Sequence, residues 1–317
     1  MGNLLEIKNV SKHYSNHVAL NTVSLAVPEG SIFGLLGPNG AGKTSLIRII
    51  NQITGPDSGE IFLKGEKLQP SHVEKIGYLP EERGLYKKMS VHDQVLYLAR
   101  LKGISRAEAL KRMTYWFSRF EIEGWRKKKI EELSKGMQQK VQFIVTVIHE
   151  PELLILDEPF SGFDPINAQL IRDEIMELRN KGATVIFSTH NMASVEEMCD
   201  HIALLNKAEK ILDGTVKEIR QQFRTNTYRI TFKGPAIGFA NALWAGGEIL
   251  DKKQDDGLNI FTVRLNPNFT INQLLSSVLP VCEIHGLSEI VPGMNDIFIM
   301  KVKKENEVLG TKSNYTE

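Results

Sequence analysis

The sequence predicts an α/β domain built on a parallel sheet, followed by a smaller α+β unit. Residues 153–156 and 184–188 are rich in apolar side chains, as in buried strands, and residues 168–179 between them have helical spacing. Strand, helix and strand in this order are typical of a parallel sheet, because the connection has to cross over the sheet. After a polar stretch over 221–227, new strand and helix patterns indicate the second unit.

The composition is that of a globular protein and excludes several functional classes. The 317 residues are 42% hydrophobic and carry a formal net charge of +1, so no overall field favours nucleic acid, and no nucleic-acid partner is expected. Two distant cysteines, Cys199 and Cys282, fit a reducing compartment better than a disulfide framework. No secretory signal is visible, and no apolar run approaches the roughly 18 residues that span a bilayer.

The remaining elements follow from short apolar runs and helical periodicity. The first domain is expected over 1–220, with a helical part over about 86–136, and a small α+β accessory domain over 221–303 precedes a flexible tail, 304–317. Further predicted strands in the first domain lie at 4–10, 18–27, 31–36, 59–64 and 74–79, and predicted helices at 43–51, 105–120 and 138–149. The accessory domain has predicted strands at 228–232, 259–265 and 282–287, and helices at 237–245 and 270–279.

A glycine-rich loop between the predicted strand at 31–36 and the helix at 43–51 matches a phosphate-binding motif. Its residues are Gly37, Pro38, Asn39, Gly40, Ala41, Gly42, Lys43 and Thr44. The glycines let successive N–H groups point into one concavity at the positive end of a helix, which binds polyphosphate. Lys43 is predicted to reach the β- and γ-phosphates, Thr44 to bind Mg²⁺ and Ser45 to bond the α-phosphate. A chance match has odds of roughly 1 in 100.

Two carboxylates, Asp157 and Glu158, end the apolar strand at 153–156. Alternation along a strand predicts that they point in different directions. One can then hold Mg²⁺ while the other faces the attacking water as general base. An exposed acidic turn is the alternative, and the phosphate loop makes it the weaker interpretation.

Further short motifs surround this pair in a fixed order. They are Tyr14 near the start, Glu81 after Gly77-Tyr78-Leu79-Pro80, Leu133-Ser134-Lys135-Gly136-Met137, Ser161-Gly162-Phe163-Asp164, and His190 at the end of a strand. In this order and spacing the sequence resembles the ATP-binding subunits of ABC transporters. The resemblance implies a P-loop NTPase of ABC type, with a RecA-like core and antiparallel β and helical subdomains, followed by the α+β domain.

The same resemblance implies the function and its partners. Ser134 and Gly136 match the signature that binds the γ-phosphate held by the other subunit, so ATP with Mg²⁺ would be sandwiched in a homodimer. His190 matches the switch histidine that joins Lys43 and Glu158 in catalysis, and Tyr14 the aromatic that stacks on adenine. An ordinary helix cap at Ser134, and simple packing of Tyr14, are the alternatives. A separate membrane permease would complete the transporter, with this chain on the cytoplasmic face of the membrane.

Departures from the family pattern point to one branch. Glu81 stands where the family has Gln, and its carboxylate could bind Mg²⁺ and alter metal and pH dependence. Lys135 and Met137 replace a glycine and a glutamine of the signature. Together with the C-terminal unit, these features are similar to bacterial exporter ATPases of the NatA-type sodium-extrusion and antibiotic-export kind. The transported substrate is not specified by the sequence.

Other ATPases with related motifs fit less well. Repair and chromosome-organising ATPases carry long coiled-coil or zinc insertions, ribosome-associated factors carry two cassettes, and small-molecule kinases need neither Ser134 nor His190. The basic run Arg126-Lys127-Lys128-Lys129 is interpreted as a solvated helix end. For the accessory domain, a role in dimerisation or regulation is favoured, with binding of a small ligand as the alternative.

Overall fold

The computed structural model describes residues 2–15, 17–82, 84–244 and 246–313. They form two compact units that divide between Val216 and Lys217 in the chain. The division falls at the start of a helix, slightly before the predicted boundary at 220. Each unit has its own sheet and its own core.

The first unit opens with an antiparallel sheet in the order β2-β1-β4-β5. Its first two strands form a long hairpin that extends beyond the predicted strands, because apolar side chains face the core along most of its length. The strands are β1 (Asn3–Tyr14), β2 (His17–Pro28), β4 (Ser58–Leu63) and β5 (Glu66–Lys67).

The main sheet has the order β10-β9-β3-β8-β7-β6, with parallel pairing from β9 through β6. The parallel sheet predicted from the alternation of strands and helices is therefore confirmed. Its central strands β3, β7 and β8 are buried at every residue, which explains their continuous apolar runs. The strands are β3 (Ile32–Leu36), β6 (Ile76–Leu79), β7 (Leu153–Asp157), β8 (Thr184–Ser188), β9 (His201–Asn206) and β10 (Glu209–Thr215).

Six helices of the described residues belong to this unit, and side-chain caps set several of their boundaries. Ser90, Ser105 and Ser134 each accept a hydrogen bond from the third backbone N–H of their helix. The cap at Ser134 places the start of its helix at Lys135. The helices are α1 (Lys43–Ile50), α2 (Val91–Leu101), α3 (Arg106–Arg119), α4 (Lys135–Val147), α5 (Pro165–Asn180) and α6 (Met192–Met198). The strand predicted over 74–79 is shorter, because Pro70–Lys75 forms a 3-10 helix with proline in its first turn.

The second unit contains the alternation βαββαβ. Its antiparallel sheet has the order β12-β13-β11-β14, and Phe232, Phe239 and Phe261 lie in its core. The sequence missed β12, because most of its side chains are polar and exposed. The elements are α7 (Val216–Gln222), β11 (Thr227–Lys233), α8 (Ala236–Leu243), β12 (Gly247–Asp255), β13 (Leu258–Leu265), α9 (Ile271–Val278), β14 (Glu283–Glu289) and α10 (Met294–Ser313).

Helix α10 differs from the predicted flexible tail at 304–317. The helix continues to Ser313, because the segment is rich in strong helix formers such as Lys and Glu. Residues 314–317 lie outside the described part. None of the described helices is both long and apolar enough to cross a bilayer.

Candidate functional site

The phosphate loop connects β3 to α1, as predicted. Gly37 and Gly42 have φ angles of 151° and 108°, in the region that favours glycine. A Cβ at Gly37 would lie 2.4 Å from the carbonyl oxygen of Leu205, and one at Gly42 would lie 2.3 Å from that of Ala19. Both positions therefore require glycine, and neighbouring backbone fixes the shape of the loop.

Helix α1 presents its first N–H groups to this loop. Its N-cap, Gly42, supplies no side-chain acceptor, so these N–H groups are left for a ligand. The Nζ of Lys43 donates to the carbonyl oxygens of Gly37 at 2.6 Å and Pro38 at 3.1 Å, inside the curve of the loop. Burial lowers the pKa of Lys43, while the charges of Asp157, Glu158 and Glu81 raise it. The charge of Lys43 therefore interacts with all three carboxylates that were predicted for the site.

Asp157 is the last residue of β7 and is buried, with 6% of its surface exposed. Burial raises the pKa of its carboxyl, and the charges of Glu81 and Glu158 raise it further, against the lowering effect of Lys43. A carboxylate kept at this cost beside a lysine is typical of a functional site rather than of a core.

Glu158 lies just beyond β7 with a φ of 49°, in the left-handed region that is uncommon for a side chain of this size. Strand alternation therefore does not set the direction of Glu158, because this residue lies beyond the strand. The turn into the left-handed region aims Glu158 away from Asp157's strand and toward the end of β8. Backbone strain of this kind is concentrated at functional sites.

The end of β8 holds the Glu158 carboxylate. One oxygen, Oε1, lies 2.9 Å from the backbone N of His190 and 2.8 Å from its Nδ1, and Oε2 accepts from the Thr189 hydroxyl at 3.0 Å. A carboxylate has about four acceptor positions, so these contacts leave one for a water molecule. The His190 ring itself is 83% exposed and can reach a ligand.

The loop after β6 brings Glu81 to the same end of the sheet. A small cavity is lined by Glu81, Asp157 and Glu158 together with side chains of α4. Thr44 and Ser45 lie in the first turn of α1, and Tyr14 ends β1 with 40% of its surface exposed and the Lys12 ammonium 5.5 Å from its ring centre.

The signature residues Ser134 and Gly136 do not line the cavity beside Glu81, Asp157 and Glu158. Ser134 caps α4 through the backbone N of Met137 at 3.3 Å, and Ser134 is exposed. A Cβ at Gly136 would meet nothing within 4 Å. Ser134 and Lys135 are thus exposed at the start of α4, whereas the phosphate loop, Asp157, Glu158 and His190 lie at the ends of neighbouring strands.

Sequence reasoning missed three residues of this region. Thr189 bonds Glu158, while Gln139 and Gln142 reach the loops beside the carboxylates. The two glutamines carried a signal, since they stand three apart and so project from the same side of a helix. Nothing in the sequence near Thr189 distinguishes it from an ordinary strand end.

The acidic groups fit a magnesium ion that is completed by phosphate. No group of three or more His, Cys, Asp or Glu side chains in the described residues could cage a metal alone. Magnesium in phosphate-transfer sites uses one or two carboxylates plus substrate oxygens. Asp157, Glu81 and the Thr44 hydroxyl supply only oxygen, which suits it.

A phosphate loop, a strand ending in two carboxylates and a histidine on the next strand define a nucleotide-hydrolysing protein of the ABC type. Comparison with known families agrees: residues 20–161 match the family model described as ABC transporter. Residues 214–302 match the model of the C-terminal domain of ATP-binding proteins like DrrA1-3.

Curated relatives extend this match. The ABC transporter ATP-binding protein YhaQ of Bacillus subtilis is 48% identical over 220 residues, which are 69% of this chain and 74% of the relative. The linearmycin resistance ATP-binding protein LnrL of Bacillus subtilis is 34% identical over 244 residues, 76% of this chain and 78% of the relative. The chain therefore belongs to the family of ABC transporter ATP-binding proteins, and the family resemblance of the sequence is confirmed.

Solved structures place the fold in the same family. An ATP-binding subunit of an ABC transporter is 33% identical, with a TM-score of 0.66 over 69% of this chain and 93% of that one. The cassette MJ0796, solved as a dimer in a post-hydrolysis state with ADP and Pi, is 25% identical, with a TM-score of 0.62 over 67% of this chain and 98% of that one. The predicted fold class is confirmed. As a member of this family, the chain is an ATPase subunit that acts with a membrane permease.

Proposed function

We propose that the chain is the motor of an ABC exporter, working as a homodimer that closes on two ATP molecules. The observation that carries the proposal is the convergence of Lys43, Asp157, Glu158 and His190 at the carboxyl ends of β3, β7 and β8. Parallel sheets form ligand sites at this edge.

The proposed chemistry assigns one task to each side chain. The phosphate-loop N–H groups and Lys43 bind the phosphates, and Tyr14 stacks on the adenine. Thr44, Asp157 and Glu81 hold Mg²⁺, which neutralises phosphate charge when it is bound. Glu158 takes a proton from the attacking water while the water oxygen bonds to the γ-phosphorus and the bond to ADP breaks. His190 orients Glu158 through Nδ1 and can donate to the γ-phosphate.

The proposed homodimer is supported by the exposed residues at the start of α4. A helix N-terminus with the Ser134 hydroxyl and the Gly136 N–H suits an anion, and neither residue lines the cavity beside Glu81, Asp157 and Glu158. A second copy could supply the nucleotide. The dimeric state of the related cassette MJ0796 with ADP and Pi supports this arrangement.

The permease partner and the direction of transport rest on two kinds of support. Leu85, Tyr86 and Met89 are apolar residues in the loop after Glu81, where polar ones would be expected, and Tyr86 is exposed. This loop and helices α2 and α3 suit a cytoplasmic helix of a membrane protein, which would hold the chain at the inner face of the membrane. Export is supported by the relationship to a resistance protein and to the DrrA1-3-like C-terminal domain. For the second unit we favour dimerisation or regulation over binding of a small ligand.

The Glu158→Gln variant tests the chemical assignment. Removing the general base while keeping the shape of the side chain should leave ATP binding intact and slow turnover by about 10²–10⁴-fold. Phosphate release and nucleotide binding are measured on the same preparation, with Glu131→Gln, an exposed residue outside the site, as control. Turnover close to wild type in Glu158→Gln would overturn the assignment.

A further inference from the structure

The face of α4 that lies toward the site carries two glutamines, Gln139 and Gln142, which are spaced to project from the same side of the helix. Gln142 is buried, with 5% of its surface exposed. Its Nε2 donates to the carbonyl oxygens of Pro80 at 3.3 Å and Glu82 at 3.4 Å. These two carbonyls flank Glu81, so one amide group spans the segment that carries the proposed metal ligand.

Gln139 makes the corresponding contact on the other side of the site. Its Nε2 donates to the carbonyl oxygen of Ser161, in the loop that follows Glu158. The same amide lies 3.4 Å from the position of a Cβ on Gly162. Its Oε1 is buried and has no hydrogen-bond partner among the described residues, so packing against the loop, rather than a full set of hydrogen bonds, fixes the side chain.

The helix itself is seated directly on β6. A Cβ at Gly77 would lie 2.6 Å from the carbonyl oxygen of Thr146, so the helix and strand backbones are in contact. The Thr146 hydroxyl, which donates to the carbonyl of Gln142 at 2.8 Å, also lies 3.4 Å from the carbonyl oxygen of Tyr78. A displacement of α4 must therefore move β6 or the loop at its end, because close-packed backbone does not absorb it.

We propose that Gln142 and Gln139 are positioning residues: Gln142 holds Glu81 toward the metal, and Gln139 holds the loop after Glu158. The inference rests on the proposed roles of Glu81 and Ser134. Because Ser134 begins the same helix, nucleotide bound there by a second copy acts on the carboxylate loops through one rigid element. The signature helix thus links the two nucleotide sites of the dimer.

Metal binding tests the role of Gln142 without relying on turnover. Mn²⁺ is titrated into the full chain with a non-hydrolysable ATP analogue, and free Mn²⁺ is followed by electron paramagnetic resonance. Gln142→Leu should weaken Mn²⁺ binding about 10-fold, the effect expected when a group that orients a metal ligand is lost. Gln138→Leu is the matched control, because Gln138 donates instead to the carbonyls of Ile130 and Leu133, ahead of the signature. Equal Mn²⁺ affinity in the Gln142→Leu and Gln138→Leu variants would overturn the inference.

A Glu81→Ala background separates this inference from the proposed function. If Gln142 acts through Glu81, Gln142→Leu causes no further loss of Mn²⁺ affinity once Glu81 is gone. An additional 10-fold loss in that background would show a general structural effect and overturn the inference. Should Glu81→Ala alone leave Mn²⁺ affinity unchanged, the proposed role of Glu81 fails, and the inference with it. If Gln142→Leu does not fold, Gln142→Asn, which shortens the reach of the same amide, is used with the same expected loss.

Gln139 has its own test. Gln139→Leu should leave Mn²⁺ affinity as in wild type and slow steady-state turnover about 10-fold, because it shifts the loop after Glu158 and not the metal ligand. Wild-type turnover, or a loss of Mn²⁺ affinity like that of Gln142→Leu, would contradict the separate roles of the two glutamines.

Discussion

Two helices of the first unit begin with a lysine after a small residue, and the surroundings of their first turns differ completely. Helix α1 begins at Lys43 after Gly42, with the lysine folded into a loop where a Cβ at Gly37 or Gly42 would lie only 2.4 or 2.3 Å from a neighbouring carbonyl oxygen. Helix α4 begins at Lys135 after Ser134, whose hydroxyl caps the helix, and both of these residues are exposed. Both ends can bind an anion, but only the first is surrounded by the residues that act on it.

The difference shows what a complete site needs beyond a helix dipole. Around α1 the chain supplies a fixed loop, a half-buried cation and carboxylates held at strand ends, which we propose bind phosphate and act on it. Around α4 it supplies a hydroxyl and an open surface. We infer that the first end holds nucleotide by itself and that the second completes the site of another copy.

Matched glycine substitutions at the starts of α1 and α4 should give the largest difference, measured as the free energy of unfolding. Gly42→Ala puts a Cβ into the Ala19 carbonyl at a φ of 108°, so it should lower the free energy of unfolding by about 3 kcal/mol. Gly136→Ala meets nothing within 4 Å and should stay within about 0.5 kcal/mol of wild type. Urea unfolding without nucleotide measures both. Equal destabilisation would show that the two ends are equally constrained, contrary to this account.

The two lysines give the next contrast. Lys43→Ala removes the cation that faces the phosphates and should weaken ATP binding by about 30-fold, the loss of a charge-assisted hydrogen bond or two. Lys135→Ala should leave the ATP affinity of the isolated subunit unchanged, because its own chain offers no nucleotide there. Calorimetric titration with ATP measures the affinity of both variants. A wild-type ATP affinity in Lys43→Ala would contradict the phosphate-loop assignment.

The smallest effect concerns the buried carboxylate beside α1. Burial raises the pKa of Asp157, so its ionised form costs stability once the pH exceeds its unfolded pKa, in full above the folded pKa. Asp157→Asn should therefore stabilise the nucleotide-free protein by about 1 kcal/mol at pH 7 and abolish metal-dependent hydrolysis. The gain should shrink as the pH falls through about 4 and vanish near about pH 2, where the carboxyl is protonated in both states. Unfolding curves at the two pH values test this, and destabilisation at pH 7 would contradict it.

The first unit was largely predictable, because its strands are apolar runs and its helices are periodic. Residues 184–188 were predicted as a strand and form β8 with the same ends. The second unit was less predictable: β12 is mostly polar and exposed, and its partner strand lies later in the chain. Helix α10 was missed because its charged residues suit a solvated chain and an exposed helix equally.

The identity of the site residues could be predicted and their contacts could not. Motif spacing named Glu158 and His190, but only the fold brings His190 Nδ1 to 2.8 Å from Glu158 Oε1. The left-handed φ at Glu158 lies beyond the strand, where alternation along a strand no longer sets the direction of a side chain. The contacts of Gln142 could be recognised only once α4 was seen to pack on β6, and these two segments are far apart in sequence.

The sharing of each site between two copies is tested most directly by mixing two inactive variants. Ser134→Arg blocks the open end of α4, and Lys43→Ala disables the phosphate loop, so each homodimer should be nearly inactive. In a mixed dimer one site carries both lesions and the other carries neither. ATP hydrolysis should therefore recover on mixing, toward about a quarter of the wild-type rate if half the dimers are mixed and each has one working site. If a mixture whose subunits are shown to exchange hydrolyses ATP no faster than the average of the two variants alone, the sites are not shared and the central claim is contradicted.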